Sequence, residues 1–222
     1  MDLSFKHPFC ALVSGPTSCG KTVFTLNFIQ NIKEMCNVTF KNIIWYYDEW
    51  QPSYDNNKLN IKYTQGLPNM RDFTGSDPSL IIIDDLMKEA GGAIVDIFTK
   101  GSHHRNLSVF YITQNLFHQG KGQRDISLNA HYIIYFKNPR DKAQISHLAR
   151  QVCPENSRFI QEAYYDSTSR PHGYLVLDLK QNTPESLRIR TNILPGEYPT
   201  IVYVPRKGNK HDSLTEYSIN SV

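Results

Sequence analysis

The chain has 222 residues, 40% hydrophobic and 20% charged, which is enough apolar material for one sizeable core and excludes a fibrous or disordered composition. Its net charge of +3 permits contact with a polyanion without demanding it. No apolar run approaches the roughly 20 residues of a membrane-spanning helix, so no membrane partner is expected.

The first ten residues lack the basic start and long apolar stretch of a secretion signal. The four cysteines, Cys10, Cys19, Cys36 and Cys153, have neither zinc-site pairing nor the density of a disulfide scaffold. The chain therefore reads as intracellular, with reduced thiols.

Short runs rich in Val, Ile, Leu, Tyr and Phe predict strands at 9–14, 42–47, 80–84, 107–112, 131–136 and 173–179. Helices are predicted between them at 20–35, 88–100 and 140–151, with another at 155–165 after Pro154, since proline can begin a helix but not continue one. This alternation predicts an α/β fold, a mostly parallel sheet with helices on both faces. "SLRIRTNI" (186–193) reads as a late strand pairing with 173–179. The end of the chain has few apolar residues and no period, so the domain is expected over 1–195 and a mobile tail over 196–222.

Gly15, Pro16, Thr17, Ser18, Cys19, Gly20, Lys21 and Thr22 fit G-x-x-x-x-G-K-[ST] at every fixed position, between a predicted strand and a predicted helix. Glycines there let backbone N–H groups converge on phosphate oxygens, and the helix adds the positive end of its dipole. Lys21 is placed to reach the β- and γ-phosphates of ATP, and the Thr22 hydroxyl to ligate Mg²⁺.

"SLIIIDDLM" (79–87) is a fully apolar strand ending in two carboxylates. Ligands gather at the carboxyl ends of such strands, so Asp84 is expected to hold Mg²⁺ beside Thr22, and Asp85 to polarise an attacking water. The plainer alternative is that both carboxylates cap the following loop.

In "TKGSHHRNLSVFYITQNLF" (99–117), Gln114 follows the strand and could donate to a γ-phosphate and orient water. Arg105 leaves the opposite end of that strand. If it acts on phosphate it does so in trans, as an arginine finger from a neighbouring subunit; the alternative is a solvated loop arginine. His103 and His104 lack a matching Cys or carboxylate cluster and read as a polar loop.

"GPTSCGKT", "LIIIDDLM", "TKGSHHRNLSVFYITQNLF", "SLNAHYIIYFKNPRDKAQISHLA" and "GYLVLDLK" together resemble the DNA-packaging ATPases of Maverick/Polinton elements and adintoviruses. These are relatives of the poxvirus-type packaging ATPases in the FtsK–HerA superfamily. The resemblance covers about residues 8 to 195.

It implies a RecA-like core that assembles as a homo-oligomeric ring and hydrolyses ATP to drive double-stranded DNA into a viral capsid. Its partners would be that DNA and capsid or portal-type proteins, at assembling virions in the host nucleus or cytoplasm. By position, Lys21 and Thr22 are similar to the Walker A pair, Asp84 and Asp85 to the Walker B acids, Gln114 to the sensor and Arg105 to the finger. Asp85 departs from the Glu of many superfamily members.

The resemblance also implies DNA contact through phosphates rather than sequence. Candidate residues are Lys121 and Arg124 in "FHQGKGQRD" and Lys137, Arg140 and Lys142 in "KNPRDK", although a solvated charged face explains both loops equally. Trp45, Trp50 and Tyr54 in "WYYDEWQPSY" could stack on a base or pack in the core. Two other functions stay open: a nucleotide or nucleoside kinase, and a nucleotide-binding capsid adaptor without turnover.

Overall fold

A computed structural model of the chain describes residues 2–55, 59–86, 91–98, 105–117, 123–197, 199–205 and 215–219. The strands are β1 (Cys10–Ser14), β2 (Asn42–Tyr47), β3 (Lys62–Gln65), β4 (Ser79–Asp84), β5 (Leu107–Thr113), β6 (Tyr132–Phe136), β7 (Tyr174–Asp178), β8 (Ile189–Thr191), β9 (Thr200–Val204) and β10 (Thr215–Ile219). They form one sheet in the order β10-β9-β8-β7-β6-β1-β5-β4-β2-β3. From β3 to β6 every pairing is parallel. From β6 to β10 every pairing is antiparallel. The expected α/β fold is therefore present, with an antiparallel extension on one side.

Every residue of β1, β4, β5, β6 and β7 is buried, as continuous apolar runs covered on both faces require. Alternation along the strands splits the core in two. Ala11, Val13, Ile82, Phe110 and Ile134 face one layer with Phe24 and Phe28 of α1 (Lys21–Gln30) and with Phe5 and Phe9. Leu12, Ile81, Ile83, Val109 and Ile133 face the other, with Ile94 of α3 (Gly91–Asp96), Ile126 of α4 (Gln123–Leu128), Leu148 of α5 (Ala143–Val152) and Ile160 of α6 (Ser157–Ser167).

The predicted helix over 20–35 is two pieces, α1 and the short α2 (Ile32–Met35). Asn31 separates them: its side-chain amide donates to Asn27 O at 2.9 Å, a local bond that competes with the helical ladder. The stretch expected as a tail is partly sheet, because Thr200–Val204 and Thr215–Ile219 pair with each other and the first pairs with β8. Few apolar residues mark β10, the edge strand, which needs no more than one covered face, whereas β9, with the sequence "TIVYV", carries a strand signal that the expectation of a tail passed over. Arg124, expected in a basic loop, falls in α4. Of that helix start's side chains nothing is described, and Lys121, His103 and His104 lie outside the described residues.

Candidate nucleotide site

The loop from Gly15 to Gly20 joins β1 to α1, and both of its glycines have a steric reason to be there. A Cβ on Gly15 would sit 2.7 Å from Phe136 Cβ and 2.8 Å from Cys19 Sγ. Gly20 has φ 109°, which an L side chain rarely adopts. Lys21 opens the helix and turns its ammonium back into the mouth of the loop, donating to Gly15 O at 2.7 Å and Pro16 O at 2.9 Å.

Cys19 is buried, and burial pushes its thiol above the usual range while the Lys21 charge opposes the shift. From the far side, His172 Nδ1 lies 3.1 Å from Cys19 O and braces the loop.

Strand order and register bring the other predicted residues to the same edge of the sheet. β5 lies between β1 and β4, with Ser14 opposite Thr113 and Ile112 opposite Asp84. Gln114 thus leaves the sheet between the loop and the acidic pair, and adjacent strands place Asp84 roughly 10 Å from the loop strand.

Asp84 is 5% exposed, and its Oδ2 accepts from the Tyr54 hydroxyl at 2.7 Å. Burial raises its carboxyl, whereas the Tyr54 bond and the Lys21 charge favour the ionised form. Asp85 is exposed, with a left-handed backbone (φ 53°) that turns its side chain away from the strand. Gln114 Nε2 donates to Asp85 Oδ2 at 2.6 Å. The structure brings Asp85 and Gln114, argued separately from the sequence, into direct contact.

Arg105 lies at the other edge, two residues before β5 begins. It is not a solvated loop residue: its Nη1 donates to Met70 O at 2.5 Å and Phe73 O at 2.7 Å. Arg140 and Lys142 are exposed between β6 and α5, at the same sheet edge as the loop, while Lys137 Nζ donates to Ser169 O at 3.3 Å. Trp45 and Tyr54 are 0% and 2% exposed and belong to the core, so neither is a base-stacking surface. Trp50 is exposed at the rim.

Beside the loop opens a cavity of about 540 Å³, lined by Lys21, Thr22, Phe24, Asn27, Gln51, Ser53, Phe136, His172, Tyr174 and Glu197, among others. That is an ordinary size for a small-molecule site. Sequence reasoning missed His172 altogether and, though it singled out Tyr54 for stacking or packing, missed its bond to Asp84. The first acts across 153 positions of chain and the second across 30, and no motif marks either.

Thr22 and Asp84 fit a magnesium ion in donor chemistry, since a hard cation takes hydroxyl and carboxylate oxygens. Among the described residues no group of three His, Cys, Asp or Glu could hold a metal.

No family model and no curated protein sequence matches the chain. Among solved structures, the chain is similar to the genome packaging NTPase B204 of Sulfolobus turreted icosahedral virus 2 in complex with ATP-gammaS. The TM-score is 0.52 at 13% identity, over 86% of this chain and 97% of that one. It also aligns with the ATPase DotB of Legionella pneumophila, at a TM-score of 0.41 and 12% identity, over 60% of this chain and 41% of that one. The fold is that of a P-loop NTPase.

Proposed function

We propose that the chain is an ATP-hydrolysing motor subunit that acts in a ring to translocate double-stranded DNA into a viral capsid. The observation that carries hydrolysis is the Gln114–Asp85 contact on the strand next to the phosphate loop. An acceptor for a water proton and an amide that can sense phosphate form one unit there. Similarity to a genome packaging NTPase solved with an ATP analogue supports the nucleotide and the packaging role.

In this reading the loop N–H groups and Lys21 bind the triphosphate. Thr22 and Asp84 would hold Mg²⁺, which when bound offsets phosphate charge. Asp85 accepts the proton of the attacking water, and Gln114 fixes the Asp85 carboxylate and relays occupancy to the loop that follows it. Arg105 faces away from its own subunit's loop, so any part it takes in hydrolysis comes from a neighbouring subunit. Arg140 and Lys142 supply phosphate contacts to DNA that weaken as salt rises.

Phosphate release from ATP, measured with and without double-stranded DNA and with small hydroxyl acceptors, tests the proposal. DNA-stimulated release supports it. Phosphate transfer to an acceptor would indicate a kinase, and ATP binding without release would indicate an adaptor.

A further inference from the structure

The short helical turn Pro52–Tyr54, between β2 and β3, touches the site at two points that the proposed function does not use. Its Tyr54 ring is packed on several sides: 5.3 Å from Trp45, 5.7 Å from Tyr47, 5.5 Å from Trp50, and stacked on Tyr63 at 5.3 Å. Held this way, the ring has little freedom, and its hydroxyl meets Asp84 Oδ2 at 2.7 Å.

Two neighbours in the same turn, Gln51 and Ser53, line the cavity that also takes Lys21 and Thr22. Trp45 Nε1 is buried with no hydrogen-bond partner among the described residues.

We propose that Tyr54 is a positioning residue: by holding Asp84 Oδ2 it fixes the orientation of the carboxylate that would hold the metal, at the turn whose Gln51 and Ser53 line the cavity with Lys21 and Thr22. The inference rests on Asp84 being the metal-holding group. The chemistry is that of an outer partner orienting a ligand, whose loss in other metal sites costs about tenfold or more in metal affinity.

The test is ADP binding to the full chain by calorimetry, first in EDTA and then across a Mg²⁺ titration, with Tyr54→Phe and Asp84→Asn beside wild type. Phenylalanine keeps the packed ring and removes only the hydroxyl. Tyr54→Phe is expected to bind ADP normally in EDTA but to need about tenfold more Mg²⁺ to reach the metal-tightened affinity.

A merely structural tyrosine would lower the melting temperature and leave the Mg²⁺ midpoint where it is. That result, with Asp84→Asn shifted, overturns the positioning role alone. An unshifted midpoint in Asp84→Asn overturns the metal assignment itself, and this inference with it.

Discussion

The two ends of the central parallel strands use the same kinds of residue in opposite ways. At the carboxyl ends of β1, β5 and β4, polar side chains meet one another: Gln114 on Asp85 and Tyr54 on Asp84, with Lys21 in the mouth of its loop. At the amino ends, polar side chains satisfy the scaffold. Arg105 takes the carbonyls of Met70 and Phe73, and His7 bridges Ser108 and Asn106. In the proposed function, a polar residue in a loop next to a strand joins the site or the scaffold according to which end of the strand it leaves, because ligands collect where parallel strands finish.

Mutations can break this contrast. Lys21→Ala is expected to weaken ATP binding by about two orders of magnitude, since a charge-assisted phosphate contact in a sheltered site is lost. Two loop carbonyls also lose their donor, so the melting temperature should fall by a few degrees at most, and calorimetry with a thermal scan reads both. Gln114→Ala is expected to keep ATP binding and lower turnover by about tenfold to a hundredfold, because Asp85 keeps its place and loses only its orienting partner. Unchanged ATP affinity in Lys21→Ala, or unchanged turnover in Gln114→Ala, would erase the distinction between the ends.

Arg105→Ala should do the reverse in the isolated subunit. Two carbonyls lose a charged donor, at a cost of about 2 kcal/mol, or a few degrees of melting temperature in a chain of this size. Nucleotide affinity should stay put. If instead the variant melts like wild type and loses turnover only on assembly, Arg105 joins the catalytic group in trans and the contrast between the ends fails at this residue.

The smallest effect concerns His7. Burial lowers its pKa below the usual value although the Asn106 bond opposes this, so the folded protein binds the proton less readily than the unfolded chain. Stability contributed by the neutral ring is present above the unfolded pKa, near 6.5, and is lost as pH falls through the folded value. Melting temperatures from pH 7.5 to 5 should decline by less in His7→Asn than in wild type, by an amount worth less than about 1 kcal/mol.

Much of the phosphate end was legible because its chemistry needs fixed residue types at fixed spacing: two glycines with steric reasons, then Lys21 and Thr22. The buried strands were legible because an apolar run such as "LIIID" has few alternatives. β3, with the sequence "KYTQ", carries no such signal, since an edge strand with one covered face reads like a loop. The role of Tyr54 is invisible for a different reason. Thirty residues separate it from Asp84, and only the folded sheet, which pairs Tyr47 with Asp84, brings the aromatic turn over the carboxylate. Arg105 was placed at the correct edge by strand direction alone, while its carbonyl partners at 70 and 73 required the fold.

The central claim is that Asp85 and Gln114 form a hydrolytic unit beside the phosphate loop. Asparagine tolerates the left-handed backbone at position 85, so Asp85→Asn removes the proton acceptor and leaves the turn intact. The deciding measurement is DNA-stimulated phosphate release by the assembled Asp85→Asn protein at saturating ATP. A loss of about a thousandfold with unchanged ATP affinity is predicted; release at the wild-type rate would contradict the account.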